Sequence, residues 1–210
     1  MAERVNQEQF LRKMAEIKER SAKLTGPSLA ERLAALPKEL RDPILESITP
    51  IDARRLLYEG RFWARPKQLP PEGDWFVSLK LGGRGVGKSR DASEWVCKKV
   101  ADGAMSIALV GPTLGDIRRY MVGGNKGKRK NGSGILDVYP SFRESDKPKF
   151  KEDKGEIHFP TGAIAYLCTG EEPELRGANL DCAWCDEPIK WRYLERLWGN
   201  LELTLREVGD

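Results

Sequence analysis

The pattern of apolar and polar positions begins with helices. Four apolar residues near the start recur at helical spacing, namely Phe10, Leu11, Met14 and Ile17, and they predict an amphipathic helix. A second helix is predicted from Ser28, as N-cap, to near Pro37. Charged residues crowd the other faces, so residues 1–60 are expected to be either a docking arm for a partner or a bundle that caps the main domain.

A different rhythm begins at Arg61. Prolines predict an extended approach over residues 61–75. Strands and helices then alternate, with a strand over 75–81, a helix over 88–101, a strand over 106–110 and a helix over 114–122. This βαβα order predicts an α/β domain with a mostly parallel central sheet. The predicted domains are therefore a helical appendage over 1–60 and the α/β domain over 61–210.

Three further elements are predicted towards the C-terminus. Residues 156–159 and 163–168 flank a Pro-Thr-Gly turn and read as a β-hairpin. A short apolar strand follows at Cys182 to Cys185. Residues 191–206 are then expected to be helical.

A phosphate-binding loop is the most specific chemical motif of the chain. The eight residues that match G-x-x-x-x-G-K-[ST] are Gly82, Gly83, Arg84, Gly85, Val86, Gly87, Lys88 and Ser89. Glycines let the backbone N–H groups approach phosphates closely. Lys88 supplies a positive charge for the β and γ phosphates, and the Ser89 hydroxyl is a ligand for Mg²⁺. A strand before the motif and a helix after it are the context that such a loop requires, so the sequence predicts an ATP and Mg²⁺ site.

Two adjacent carboxylates end the predicted strand at 182–185. An ATPase needs one carboxylate for the Mg²⁺ shell and another that acts on water, both at the end of a buried strand. Asp186 is the predicted metal residue and Glu187 the predicted catalytic residue. An adjacent glutamate also disfavours a small-molecule kinase, which must keep water away from the transferred phosphate.

The composition restricts the class of protein but does not indicate a specific function. The chain has 210 residues, of which 40% are apolar and 32% charged, and its net charge is +4. This balance is typical of a soluble globular protein and is compatible with a nucleic-acid partner. No apolar run approaches the roughly 20 residues that span a bilayer. The N-terminus does not resemble a secretory signal, so a cytoplasmic location is predicted.

The pair Cys182 and Cys185 reads C-A-W-C, which suggests a zinc or redox site. The chain has no second pair of this spacing, and its only histidine is His158. A four-ligand zinc site is therefore hard to assemble. Because the pair lies in an apolar run, both thiols are predicted to be packed in the core.

A glycine-rich basic loop is predicted over residues 123–134. It carries Lys126, Lys128, Arg129 and Lys130. Four cations on such a loop can contact DNA phosphates without sequence preference. The alternative is a solvated loop with no ligand.

Several sequence blocks together resemble the ATPase domain of the large terminase subunit of tailed bacteriophages. In order they are FWARPKQLPP, GGRGVGKSRDASEWV, IALVGPTLGDIRRYMV with SGIL at 133–136, FPTGAIAYLCTGEEPELRGANLD and AWCDEPIKW. The resemblance runs from about Phe62 to Trp198 and implies a P-loop NTPase fold of the ASCE type. It also implies an ATP-driven motor that packs double-stranded DNA into a preformed capsid.

The resemblance assigns further roles. Gln68 is similar to the glutamine that reads the adenine edge, and Arg84 to an arginine used near the γ-phosphate. Arg176 is similar to an arginine close to the active site; a salt bridge that ties its loop to the sheet is the alternative. The implied partners are the portal protein, the small terminase subunit and further copies of the chain in a ring. The implied location is the infected bacterial cell, transiently at the procapsid portal.

Two departures from the resembling family qualify this picture. Such proteins usually carry a C-terminal nuclease domain, and nothing after Glu187 can host one, so no nuclease activity is expected. They also have a further strand and a coupling segment after the second motif, so the sheet is expected to be incomplete at its C-terminal end. A fragment or split gene completed by a second polypeptide, and a shortened relative with an altered role, both remain open.

The predicted function is therefore the ATPase part of a DNA-packaging motor. One alternative is a nucleotide-binding assembly or regulatory subunit that does not turn ATP over by itself. Another is a helicase-like DNA translocase. Strand separation distinguishes the translocase, because a packaging motor moves along intact duplex.

Overall fold

The computed structural model describes residues 26–71, 73, 75–124, 132–141, 143–171 and 179–205. These residues fall in two compact units, Met1–Val86 and Gly87–Asp210. The predicted helix that contains Phe10 lies outside the described residues, as do the four basic residues of the 123–134 loop.

The described part of the first unit is mainly helical. Its helices are α1 (Leu29–Ala34), α2 (Lys38–Ser47), α3 (Pro50–Leu56) and α4 (Gly60–Trp63), and a 3-10 turn follows at Pro66–Gln68. Ser28 caps α1 as predicted, because its hydroxyl accepts a hydrogen bond from the Glu31 N–H while its own N–H donates to the Glu31 carboxylate. Among the described residues of this unit no apolar side chain is buried.

Two sequence predictions for the first unit are wrong. Residues 61–75 are not simply extended, because α4 and the 3-10 turn occupy part of this range. Proline fixes φ at a value that the first turn of a helix accepts, so Pro66 can begin the 3-10 turn. Residues 75–81 do not form a strand. Four of their apolar side chains are exposed, among them Leu79 at 74% and Leu81 at 86%. Strand propensity alone does not create a strand, since a ladder also needs a neighbouring strand.

The second unit contains a five-stranded sheet in the order β2-β3-β4-β1-β5. Its strands are β1 (Ser106–Gly111), β2 (Lys149–Lys151), β3 (Glu156–His158), β4 (Ile164–Thr169) and β5 (Cys182–Cys185). β1 is the middle of a parallel group, with β4 on one side and β5 on the other. β2 pairs with β3 in the antiparallel direction, and β3 pairs with β4 in the same way.

The sheet is therefore mixed, and the prediction of a mostly parallel sheet is wrong. Its antiparallel edge arises from two tight reversals of the chain, one between β2 and β3 and one between β3 and β4. Gly155 and Gly162 lie in these reversals with φ of 66° and 91°, a conformation that glycine adopts at low cost. The second reversal is the predicted hairpin, which is confirmed. The α/β class is also confirmed.

Helices cover both faces of the sheet. The helices of this unit are α5 (Lys88–Ala101), α6 (Leu114–Asp116) with its π-helical continuation Ile117–Val122, α7 (Ile135–Val138) and α8 (Leu194–Thr204). One apolar cluster joins α5, the π-helical segment and α7 to Ile107, Leu109 and Trp184 of the sheet. The other joins α8 to Ala108 and Val110. Alternate residues of β1 thus face opposite layers, as the period of a strand requires.

Five further predicted elements of this unit appear, and three of them differ slightly from the prediction. The helix of 88–101 and the strand of 182–185 have the predicted bounds, and β1 is one residue longer than predicted. The helix predicted over 114–122 changes to π geometry at Ile117, shown by the 3.1 Å hydrogen bond from the Gly123 N–H to the Arg118 carbonyl. The last helix begins at Leu194 rather than 191. No helix within the described residues is long and apolar enough to cross a membrane.

The two thiols of C-A-W-C lie in different layers of the molecule. Cys182 belongs to the apolar cluster on the α5 face, whereas Cys185 packs against the cluster on the α8 face. All four cysteines are free. Burial raises the pKa of Cys97, Cys182 and Cys185 to about 12 in each case. The predicted core packing is therefore confirmed for Cys182, which is buried, whereas Cys185 is partly buried against the second cluster.

We expect the native thiols to resist modification. At pH 8, far below a pKa of about 12, almost none of these three groups is a reactive thiolate. Reaction with a chromogenic disulfide reagent should be slow in the native chain and should reach four thiols only after unfolding in guanidinium. Rapid reaction of two thiols, or recovery of a disulfide between Cys182 and Cys185, would contradict this placement.

Candidate active site at the carboxyl end of the parallel strands

The carboxyl ends of β1, β4 and β5 meet at one edge of the sheet. The Gly170 N–H donates to the Gly111 carbonyl at 2.8 Å, and the Asp186 N–H donates to the Val110 carbonyl at 2.8 Å. These bonds fix the first residue after β4 and the first residue after β5 against the end of β1. In open α/β sheets this edge is where ligands bind.

The second half of the glycine-rich motif opens α5. Gly87 is the N-cap of the helix, with φ of 90°, and Lys88 and Ser89 are its first two residues. The positive φ favours glycine at this position. A helix of 14 residues places free backbone N–H groups and a partial positive charge at this end. Lys88 lies within electrostatic range of the Asp186 carboxylate.

The first half of the motif, from Gly82 to Val86, belongs to the first unit. A Cβ on Gly82 would lie 2.8 Å from a methyl group of Val86, so the backbone approaches that side chain closely. Gln68 donates a 2.8 Å hydrogen bond from its side-chain amide to the Val86 carbonyl. The residue predicted to read adenine is thus attached to the predicted phosphate loop. Arg84 is exposed.

Asp186 has an unusual electrostatic environment. Burial raises the pKa of its carboxyl above the ordinary value, and the neighbouring negative charge of Glu187 raises it further. The positive charges of Lys88 and Lys190 act in the opposite direction, while Asp116 adds a smaller upward effect. A half-buried carboxylate among two cations and two further acids is a site where an added positive charge is stabilised.

Glu187 has strained backbone geometry. Its φ of 47° and ψ of 52° place it in the left-handed region, and it is the only non-glycine residue with positive φ among those described. Such a conformation costs about 1–3 kcal/mol and persists only where surrounding contacts hold it. A 3-10 turn, Pro188–Lys190, follows directly, and the Lys190 ammonium donates to the Glu187 carboxylate at 2.6 Å.

Trp191 packs beneath the strand ends and holds this turn by a hydrogen bond. Its indole N–H donates to the Asp186 carbonyl at 3.1 Å, and the side chain is only 5% exposed. The ring packs directly on Gly170, where a Cβ would lie 2.6 Å from the nearest ring atom. Because Gly170 is tied to the end of β1, the indole connects the Asp186–Glu187 pair to the ends of two strands.

Substitution of Gly170 by alanine should destabilise the fold. The added methyl group would overlap the Trp191 ring, and overpacking of this kind costs about 1–3 kcal/mol. Urea unfolding followed by circular dichroism measures the loss. The control is Gly199→Ala in α8, where a Cβ meets nothing within 4 Å and alanine should stabilise the helix by about 0.5–1 kcal/mol. Equal stability of Gly170→Ala and the parent chain would contradict the close packing.

Two of the predicted residues carry oxygen donors that could hold Mg²⁺. Ser89 and Asp186 supply a hydroxyl and a carboxylate, which are hard donors that Mg²⁺ prefers. Within the described ranges no group of three or more His, Cys, Asp or Glu residues is arranged to hold a metal by itself. In nucleotide sites Mg²⁺ binds one or two protein oxygens, while phosphates and waters supply the remaining ligands.

The structure thus brings together some of the predicted residues. Lys88, Asp186 and Glu187 share one electrostatic environment, and Gln68 contacts the backbone of Val86. Arg176 lies outside the described residues. Sequence reasoning missed Asp116, Lys190 and Trp191. Asp116 lies shortly after β1, where its N–H donates to the Thr113 hydroxyl and its carboxylate accepts from that hydroxyl. Its position after a predicted strand was the available signal.

Comparison with known proteins identifies the family. The family model described as terminase large subunit, T4likevirus-type, N-terminal, matches residues 79–207, which is more than half of the chain. A search of curated proteins and a search of solved structures each found no match. The matched range includes Lys88, Ser89, Asp186 and Glu187. The chain therefore belongs to the family of large terminase subunits of phages.

Proposed function

We propose that this chain binds and hydrolyses Mg²⁺-ATP at the carboxyl edge of its parallel strands, as the ATPase part of a motor that moves double-stranded DNA into a capsid. Membership in the large terminase family gives the chain a role in phage DNA packaging. The observation that carries the ATPase proposal is that Asp186, whose backbone N–H is bonded to the end of β1, is within electrostatic range of Lys88 at the start of α5. The P-loop NTPase fold is part of the same proposal.

Each site residue has a distinct task in this reaction. Lys88 neutralises charge on the β and γ phosphates, and the start of α5 offers its N–H groups to the same anion. Ser89 and Asp186 hold Mg²⁺, which supplies charge neutralisation at the phosphate oxygens. Glu187 orients the attacking water and accepts its proton as the water oxygen bonds to the γ-phosphorus and the bond from that phosphorus to the bridging oxygen of ADP breaks. ADP, phosphate and a proton are the products.

Three further roles belong to the proposal. Gln68 reads the adenine edge, Arg84 approaches the γ-phosphate, and Arg176 stabilises charge during transfer. A guanidinium near the phosphates favours the transition state whether it comes from the same subunit or a neighbour in a ring. The portal protein and the small terminase subunit are the proposed docking partners.

The second candidate function is a nucleotide-binding assembly subunit that does not turn ATP over by itself. The ion pair between Lys190 and Glu187 favours it, because this contact engages the carboxylate that must act on water. Binding without turnover is the property that separates this candidate from the ATPase.

Nucleotide binding by a Lys88→Ala variant tests the shared part of both candidates. Loss of a charge-assisted contact to phosphate should weaken Mg²⁺-ATP binding by about 10-fold to 100-fold. Lys98→Ala is the matched control, since Lys98 lies in the last turn of the same helix and pairs there with Asp102. Equal affinity of Lys88→Ala and the parent chain would contradict the proposed site.

The four cations over residues 126–130 are proposed to contact DNA phosphates. Reversal of all four charges should weaken duplex binding and reduce its dependence on salt, because fewer counterions are released. Binding measured by fluorescence anisotropy between 50 and 200 mM salt tests this expectation. Unchanged affinity at low salt would contradict it.

A further inference from the structure

Lys190 interacts with both Asp186 and Glu187, but it has no role in the proposed reaction. Its ammonium donates to one oxygen of Glu187 at 2.6 Å. Its charge also reaches the carboxylate of Asp186. Both the predicted water-activating residue and the predicted metal residue therefore interact with the same cation.

The backbone holds Lys190 in this position. The Lys190 N–H donates to the Glu187 carbonyl at 2.9 Å, which closes the 3-10 turn Pro188–Lys190. The left-handed conformation of Glu187 begins that turn, and Trp191 anchors its far end through the Asp186 carbonyl. A flexible lysine on a fixed turn can leave the carboxylate without any change of fold.

We propose that Lys190 is a positioning residue that pairs with Glu187 in the nucleotide-free protein and is displaced when Mg²⁺-nucleotide binds. This inference rests on the proposed ATP site. A divalent cation held by Asp186 repels a nearby ammonium, and it competes for the same negative charge. Both side chains of the pair are largely exposed, at 59% for Lys190 and 51% for Glu187. The pair is therefore weak enough to open at each binding event.

The displacement has a functional consequence. While the ion pair is closed, one carboxylate oxygen of Glu187 is occupied by an ammonium and is unavailable to a water molecule. Opening of the pair on binding of Mg²⁺-nucleotide increases the fraction of molecules in which that oxygen is free when the substrate is present. Lys190 thereby couples occupancy of the metal position to the release of the catalytic carboxylate.

The test is the Mg²⁺ requirement of nucleotide binding, measured on the full chain with a fluorescent ATP analogue at pH 8 and low salt. Lys190→Met removes the charge and keeps most of the side-chain length. We expect the Mg²⁺ concentration for half-maximal binding to fall about threefold in this variant, the size of effect that an exposed ion pair allows. Lys190→Arg, which keeps the charge, and Lys98→Met, which removes a distant ion pair, should both match the parent chain.

A double variant separates the ion pair from general electrostatics. In a Glu187→Gln background the pair is absent, so the effect of Lys190→Met should shrink clearly below threefold. An equal effect in both backgrounds would overturn the role of the pair, as would a parental Mg²⁺ requirement in Lys190→Met. If either result is found while nucleotide binding still depends on Lys88, only the role of the ion pair is overturned, and the proposed ATP site is retained. Parent-chain binding that is absent or independent of Lys88 would overturn the site and this inference together.

Discussion

Glu187→Gln should abolish most ATP turnover while Mg²⁺-ATP still binds. The amide keeps the size and hydrogen-bonding reach of the side chain but cannot accept a proton from water. Loss of a general base lowers rates by about 100-fold to 10,000-fold. The proposed phosphate contacts of Lys88 do not involve this carboxylate, so the dissociation constant of the nucleotide should change little. Steady-state phosphate release and equilibrium binding measure the two effects separately.

The control for this substitution is Glu195→Gln. Glu195 lies in the first turn of α8, away from the strand ends. ATP turnover by the Glu195→Gln variant should therefore equal that of the parent chain. Equal turnover of Glu187→Gln and the parent would remove Glu187 from the reaction. A parent chain that binds nucleotide through Lys88 without turnover would instead favour the assembly subunit.

Leu109→Ala should destabilise the fold more than Gly170→Ala does. Leu109 is fully buried in β1, with Leu167 and Trp184 at its register positions on the two flanking strands. Truncation of a buried leucine costs about 2–5 kcal/mol, through lost transfer free energy and the cavity that remains. Small domains have total stabilities of about 5–15 kcal/mol. The midpoint of urea unfolding should therefore fall sharply.

Leu203→Ala is the matched control, because this leucine of α8 is 86% exposed. Its effect should stay within about 0.5 kcal/mol. A similar loss in both variants would contradict the assignment of β1 as the middle of the core. A small loss in Leu109→Ala alone would indicate that the site collapses around the cavity.

The parts of the fold that follow from sequence are those with a local cause. Helix α5 begins where Gly87 supplies a left-handed N-cap, and β5 is an apolar run that ends at Cys185, directly before Asp186. The residues that specify each element lie within or beside it. Pattern reasoning was therefore able to place Lys88 and Glu187 at element ends, which is where the structure has them.

Features that depend on distant partners did not follow from sequence. Residues 75–81 have the composition of a strand, but a strand also requires a neighbour that no local pattern specifies. Strand β2 was missed because its lysines, Lys149 and Lys151, mask the single apolar residue between them. The bond from the Trp191 indole to the Asp186 carbonyl depends on the left-handed turn at Glu187, which a glutamate before proline does not suggest.

The most direct test of the proposed ATP site is a crystal structure of the chain with Mg²⁺ and a non-hydrolysable ATP analogue. We expect the γ-phosphate beside the Lys88 ammonium, Mg²⁺ on oxygens of Ser89 and Asp186, and the Glu187 carboxylate facing the γ-phosphate after separation from Lys190. A nucleotide bound elsewhere, or a phosphate chain that makes no contact with Lys88, would contradict the proposed site.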